Sequence, residues 1–386
     1  MTSIPCHVCR TGRLVHVDPY ARLPRITSDV RVWPAGGQLA VCADCGAVQK
    51  PTTAAWRADC GSIYASYVVY RVNDGSEQTV FTAAGAGEAR SQRLLRGARD
   101  TLALPTAGRL LDFGCGDGSL LRNARALLPG WQCAGAELSE NRRAEIEAIA
   151  GAGAFHSGDP ADLPGGFDLL TAVHVIEHLE NPAATLATLG SKVGRGGHLI
   201  IQVPDVQQNP FDLLIVDHAT HFTPASLRQV MAAAGLHVPT VGTDWFPREI
   251  AAVGIPGLED DCTTGSPPEG ADPAVSLAMV ERHVDWLERL WGQMRTVDAA
   301  GPYGIFGTAI AATWAAADAS DNLAFFVDED IKRVGGTHLG RPILHPGALP
   351  AGARVMMAHT PEFTAKTAEH LAARAPEATI IHPPPW

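Results

Sequence analysis

Short apolar runs recur at regular intervals from residue 109 onward, separated by segments with helical patterning. "RLLDFGCGDGSLL" is an apolar strand, a glycine turn and the start of a helix. "WQCAGAELSE" is a second strand ending in an acid, "FDLLTAVHVIEHL" a third that runs into a loop and helix, and "GGHLIIQVP" a fourth. Continuous apolar strands alternating with helices predict an α/β fold around a doubly wound parallel sheet. Residues 84 to 103, rich in Ala, Arg and Leu, predict a helix ahead of it. Residues 254 to 275, rich in Gly, Pro and acid, predict a loop or linker, followed by the tryptophan-bearing helix "AVSLAMVERHVDWLERLWGQM". "GPYGIFGTAIAATWAAA" and "NLAFFVDED" begin a second, smaller α/β unit from about residue 299 to Trp386. The expected division is 1–62, 63–253, 254–298 and 299–386.

Composition narrows the partners. A 46% hydrophobic content in 386 residues supports a large core, and a formal net charge of -11 excludes the basic footprint of nucleic-acid binding. The opening "MTSIPCHVCR" lacks an apolar leader segment, and no apolar run reaches the ~18 residues of a membrane span. These features predict a cytoplasmic protein, a monomer or homodimer, with no membrane or nucleic-acid partner. The eight cysteines are then not a disulfide framework. Cys6–Cys9 and Cys42–Cys45 form two C-x2-C pairs, the spacing with which two knuckle turns close four thiolates around one zinc ion. A closed shell of four thiolates is structural. Residues 1–62 are therefore expected to form a small zinc-binding lobe. Cys60, Cys115, Cys133 and Cys262 are scattered.

The glycine turn points to a cofactor. Gly114, Gly116 and Gly118 follow a strand on alternate residues, with Asp112 before them. A dinucleotide turn spaces its glycines as G-x-G-x-x-G, so a Rossmann-like domain that binds NAD, or nothing, is the weaker reading. The pattern resembles the first motif of class I S-adenosylmethionine methyltransferases. The resemblance implies that Asp112 serves the methionine end of the cofactor, that Glu137 holds the ribose hydroxyls, and that Asp159 meets the adenine amino group. His174 and Val175 would then lie beside the cofactor. Glu177 and His178 sit where a helix is expected to begin, and terminus packing explains them equally well.

The order of lobe, tyrosine-bearing segment (63–81), core and C-terminal unit is similar to the three-domain sugar C-methyltransferases, which act on nucleotide-linked 4-keto deoxysugars. "CADCGAVQ", "GIFGTAIAATWAA" and "FFVDEDIKRVGGTHLGRPILHP" carry the similarity. In that family a Tyr-His-Glu-His run follows the fourth strand. Here the stretch is "FDLLIVDHATHFT": Asp217 and His218 fall on the acid–histidine pair, Ile215 where the tyrosine stands, Val216 where the first histidine stands, and His221 where an aromatic residue is common.

The resemblance implies base-assisted methylation at carbon, with His218 as base, Asp217 and His221 beside it, and a phenol lent by Tyr64, Tyr67 or Tyr70. An imidazole of ordinary pKa suits that task. Asp212 is expected to be a surface or capping carboxylate. "TPASL" predicts a helix start with Thr223 as cap and Pro224 at its first position. The acceptor is expected to be a small molecule, possibly nucleotide-linked. The glycine turn and Asp328 of the C-terminal unit suit either a nucleotide site or an inert Rossmann-like remnant. A nonsugar acceptor methylated at C, N or O, and a non-catalytic binding subunit, are the alternatives.

Overall fold

The computed structural model describes residues 4–10, 13–68, 77, 79–81, 87–257 and 272–386. In the N-terminal lobe, β1 (Leu14–His16), β2 (Arg25–Ile26), β3 (Val32–Trp33), β4 (Ala40–Cys42) and β5 (Val48–Gln49) precede helix α1 (Ala54–Tyr64). Thr53 caps α1, its side chain accepting from the Trp56 amide. β6 (Thr79–Phe81) pairs antiparallel with β7 (Gly87–Ala89), and α2 spans Arg90–Thr101. The helix expected over 84–103 is thus shorter, because its first described residues pair as a strand. Tyr70, Cys262 and most of the 254–275 segment lie outside the described residues.

The core alternates β8 (Arg109–Phe113), α3 (Ser119–Leu127), β9 (Gln132–Glu137), α4 (Arg143–Ala150), β10 (Phe155–Ser157), β11 (Phe167–Val173), α5 (Pro182–Lys192) and β12 (Val193–Pro204). After a long loop come β13 (Thr220–His221), α6 (Pro224–Ala233), β14 (Leu236–Gly242) and β15 (Glu249–Pro256). The seven-stranded sheet runs β10-β9-β8-β11-β12-β15-β14. It is parallel through β12, while β15 is antiparallel to both its neighbours. Leu110, Leu111, Leu169, Leu170, Leu199, Ile200 and Ile201 are buried, as a sheet covered on both faces requires. Strand order reverses between β8 and β11, which opens a crevice at their carboxyl ends.

Helix α7 (Pro273–Ala299) leads to β16 (Tyr303–Phe306), α8 (Ile310–Ala315), β17 (Leu323–Val327), β18 (Thr337–His338), β19 (Arg341–Leu344), β20 (Arg354–Met356), α9 (Pro361–Arg374) and β21 (Thr379–Ile381). The strands form a second sheet, β18-β19-β17-β16-β20-β21, parallel apart from the β18–β19 pair.

One hydrophobic core joins three parts of the chain. Tyr20, Leu23 and Ile26 of the lobe, Phe211, Leu213, Leu214 and Ile215 of the loop, and Trp286 and Trp314 of the C-terminal half pack together. Phe211 meets both tryptophans edge-on, at 5.6 and 5.9 Å between ring centroids. The Trp314 indole N–H donates to the Pro24 carbonyl at 2.9 Å, so the ring is buried without an orphaned donor. The loop after β12 is therefore held in a core. No helix among the described residues is long and apolar enough to cross a membrane.

Candidate active site

The cofactor crevice is built by β8, β9 and β11. Gly114, Gly116 and Gly118 all adopt left-handed backbone, with φ of 77°, 51° and 77°. Gly114 also has no room for a side chain, since a Cβ there would lie 2.3 Å from Val175 Cγ2. Gly114→Ala is expected to combine backbone strain of about 1–2 kcal/mol with overpacking of about 1–3 kcal/mol. Calorimetry with S-adenosylhomocysteine should show affinity reduced at least tenfold; wild-type affinity would exclude this turn from the cofactor site.

Glu137, at the end of β9, accepts from the Gly116 and Leu138 amides at 3.1 and 2.8 Å. Its exposed neighbour Leu138, at 85% accessibility, leaves an apolar face open at the mouth of the crevice. Asp159 follows β10 and accepts from the Ala161 amide at 2.8 Å. Asp112 is buried and accepts from the Thr171 hydroxyl at 2.7 Å. Burial, with further help from Glu137, Glu77 and Asp117, pushes its carboxyl up to about 7. An acidic, partly apolar crevice lined by left-handed glycines suits S-adenosylmethionine, whose sulfonium and ammonium would relieve the crowding of acids.

His174 directly follows β11 with left-handed backbone, φ 53°. Its ring lies 3.0 Å from Glu177 Oε1 and 3.4 Å from Glu249 Oε2. Burial disfavours the imidazolium, but the two glutamates outweigh it and push His174 up to about 9. Its side chain thus belongs to an ion-pair cluster that also takes in Arg90, 2.8 Å from Glu249. Glu177 and His178 stand on a 3-10 turn rather than at a helix start.

The loop after β12 differs most from expectation. Asp212 is no surface carboxylate. It is 1% exposed and accepts from two histidines at once, His218 Nδ1 on Oδ1 and His221 Nδ1 on Oδ2, each at 2.7 Å. A carboxylate can only accept, so both imidazoles carry their proton on Nδ1. Nε2 is the His218 ring nitrogen that Asp212 does not engage. Burial works against the Asp212 charge, yet the two histidines hold the carboxyl far below the usual range.

Asp217, expected to orient His218, faces the other way. It accepts from the Ser28 amide at 2.9 Å and the Ser28 hydroxyl at 2.5 Å, and lies 3.5 Å from His178 Nδ1. Asp217 lies in a turn after the buried run, and Ser28 of the lobe captures its carboxylate.

His178 links the loop to the crevice. Its Nδ1 donates to the Asp217 carbonyl at 2.9 Å, the Tyr64 hydroxyl lies 3.0 Å from the same nitrogen, and its ring meets His218 edge-on at 4.7 Å. Tyr67 stacks beside Tyr64 at 5.9 Å, with its hydroxyl 3.4 Å from Ser28 Oγ. Burial pushes the Tyr67 phenol up to about 12. Tyr67, Tyr64, His178 and His218 thus form a row of rings. Ile215, at the family's tyrosine position, is buried in the shared core. Thr223 caps α6 as expected, in a capping box with Ser226.

The same loop is stitched to the lobe. Val216 N donates to the Ile26 carbonyl, Lys50 N to the Ala219 carbonyl and Trp56 Nε1 to the Val216 carbonyl, at 2.8, 2.9 and 2.8 Å. β13 pairs with β5, completing the lobe's sheet β1-β4-β5-β13. The four cysteines lie at that sheet's end. Their sulfurs are within 4.8 Å of one another, with Cys6–Cys45 at 3.6 Å and Cys9–Cys42 at 3.5 Å.

Both C-x2-C turns share one geometry. Arg10 N donates to the Cys6 carbonyl and Gly46 N to the Cys42 carbonyl, and Arg10 and Gly46 are both left-handed. The Val8 and Asp44 amides point at Cys6 and Cys42 sulfurs at 3.4 Å, as donors to thiolates do in metal knuckles. This set could hold one tetrahedral ion.

In the C-terminal unit, Asp328 accepts from Thr308 Oγ1 at 2.7 Å and from Arg333 Nη1 at 3.1 Å. That carboxylate is already neutralised. The helix after the glycine turn, α8, has only six residues.

Sequence reasoning placed Asp212 at the surface and did not single out Lys50. Lys50 is buried at 1% with its Nζ 3.1 Å from His221 Nε2. A polar residue inside an apolar run ("PFDLLIV") was the available signal for the first. No local pattern marks the second.

A family model described as a methyltransferase domain matches residues 87–241. An uncharacterized protein of Synechococcus is 35% identical over 104 residues, a quarter of each chain. The ubiquinone biosynthesis O-methyltransferase of Thiobacillus denitrificans is 29% identical over 164 residues, covering 36% of this chain and 68% of that one. The CalO1 methyltransferase of calicheamicin biosynthesis, solved with S-adenosylhomocysteine, aligns at 21% identity and a TM-score of 0.36, over 43% of this chain and 54% of that one. The family match, the α/β sheet and the glycine–acid crevice agree: residues 87–241 are a class I S-adenosylmethionine-dependent methyltransferase domain.

Proposed function

We propose that the whole chain transfers a methyl group from S-adenosylmethionine to an ionisable carbon or oxygen of a small biosynthetic intermediate. The observation that carries this reading is the Asp212–His218 pair, whose imidazole ends the ring row that passes through His178. S-adenosylmethionine, when bound, supplies the electrophilic methyl and leaves as S-adenosylhomocysteine. Asp112, Glu137 and Asp159 would hold its methionine, ribose and adenine ends. His218 Nε2 takes the acceptor proton. Asp212 stabilises the resulting imidazolium, and Tyr64 and Tyr67 face the acceptor oxygen. The four cysteines would hold a structural zinc ion.

The acceptor class follows from two supports. The ubiquinone biosynthesis relatives are O-methyltransferases by name. The resemblance to sugar C-methyltransferases covers domain order but departs at Ile215, and the phenols available come from α1 and the residues just after it. A panel of nucleotide-linked 4-ketosugars and dihydroxyarenes, scored for a mass gain of one methyl, separates the two classes. His218→Ala is expected to lower kcat by about 10²- to 10⁴-fold, with S-adenosylhomocysteine affinity within about twofold. Unchanged turnover would remove His218 from the mechanism. A protein that binds S-adenosylhomocysteine yet methylates nothing in the panel would favour the binding-subunit alternative.

A further inference from the structure

Lys50 is a buried lysine that the methyl transfer above leaves unused. It follows β5 in the N-terminal lobe, 171 residues before the histidine it touches. Its Nζ donates to the Ile215 carbonyl and the His218 carbonyl (3.4 Å), and lies 3.1 Å from His221 Nε2. An ammonium has three protons and no acceptor, so these three acceptors use it fully.

The consequence for His221 is a fixed tautomer. Its Nε2 faces a donor, so its proton sits on Nδ1, which donates to Asp212 Oδ2. That leaves Oδ1 for His218 and no second orientation for the carboxylate. The chain of contacts is Lys50–His221–Asp212–His218, a cation and an anion joined through a neutral imidazole. All four side chains are buried.

We propose that Lys50 is a positioning residue through which the N-terminal lobe orients the methyl-transfer base: it holds His221 neutral, His221 locks Asp212, and Asp212 fixes His218. The proposal rests on the reading of His218 given above. The electrostatics agree with it. Burial pushes His221 down to about 4, and the Lys50 ammonium adds to that shift against Asp212. Burial also pushes Lys50 down to about 7; Asp212, Asp217 and Cys60 favour its charge, and Arg25 opposes it. These are the titrating and charged groups that face it from the loop, β2 and α1.

The test uses the full chain with S-adenosylhomocysteine bound and histidine-selective ¹⁵N NMR. In the wild type, His221 should remain neutral with its proton on Nδ1 from pH 8 down to about 5. In Lys50→Met, Asp212 still accepts from Nδ1, but the cation facing Nε2 is gone, so the imidazolium should form more readily and the titration should move up by about one pH unit or more. Turnover on the acceptor identified by the panel should fall about 100-fold in kcat, with KM for S-adenosylmethionine within about twofold. A Lys50→Met protein whose His221 titrates as in the wild type, or that keeps kcat, overturns the proposal.

If that variant does not fold, Lys50→Met/His221→Leu removes donor and acceptor together, which a buried site tolerates better. Its kcat should equal that of His221→Leu alone; a further loss on adding Lys50→Met would show that Lys50 acts apart from His221 and overturn the relay. The two readings fail separately. Full turnover in His218→Ala sinks the base itself, whereas full turnover in Lys50→Met with an inactive His218→Ala sinks only Lys50.

Discussion

Asp212→Asn is expected to reduce kcat by about 10³- to 10⁴-fold while S-adenosylhomocysteine still binds. The carboxylate accepts two buried N–H groups, His218 Nδ1 and His221 Nδ1, at 2.7 Å each. An amide of the same size accepts one and presents its own N–H to the other. One imidazole must then flip its tautomer or leave a buried donor against a donor. Flipping His218 puts a proton on Nε2 and removes the lone pair from the acceptor side. Turning a histidine-orienting aspartate into asparagine costs about 10⁴ in catalytic triads, for the same tautomeric reason.

Stability should fall too, because a charge-assisted hydrogen bond that leaves its buried partner unpaired costs about 1–3 kcal/mol or more. The pH dependence has a definite sign. The Asp212 carboxyl is held below its ordinary value, so its contribution is present at neutral pH and is lost as pH falls below about 4. Thermal melts of the variant should therefore lose part of the wild type's decline in that acid range. A variant with wild-type kcat would return Asp212 to a purely structural role.

Cys42→Ser is expected to abolish stoichiometric zinc and turnover together, with cofactor binding retained within about threefold. Structural zinc contributes roughly 10–16 kcal/mol in isolated knuckle peptides, as much as a typical domain's whole stability of about 5–15 kcal/mol. Without the ion the two knuckles have no reason to converge. The damage cannot stay local, because the lobe's sheet includes β13, which carries His221, and His7 of the first knuckle lies 2.8 Å from the Thr220 hydroxyl. The cofactor crevice is built separately, from the ends of β8, β9 and β11. Metal analysis, calorimetry with S-adenosylhomocysteine and turnover on the same sample give the three readouts. Full turnover in a zinc-free protein would show that the lobe is dispensable.

Particular residues show which parts of this site were legible early. The parallel sheet was, because strands covered on both faces must be apolar along their length. The left-handed turn at Gly114 and the place of Glu137 at the end of β9 were, because such a turn needs glycine at fixed spacing and the next strand ends about twenty residues on. The Thr223 cap was, since it depends on residues three apart. The helix over 84–103 was misjudged in length because strand pairing with residues 79–81 overrode local propensity. The partner of Asp217 was not legible, because sequence adjacency to His218 said nothing of where either side chain points, and Ser28, 189 residues away, holds its carboxylate.

What the sequence determined by itself was therefore chemistry set by short spacing: four thiols in two knuckles, a glycine turn with its acids, and a loop carrying acids and histidines after the fourth strand. Only the tertiary structure decided which acid serves which histidine. Partner choice in a buried polar network follows from burial and from contacts between distant segments. Desolvation makes each unpaired donor or acceptor costly, so the pairing Lys50–His221–Asp212–His218 is settled where the lobe, the loop and the core close on one another, and no local pattern encodes it.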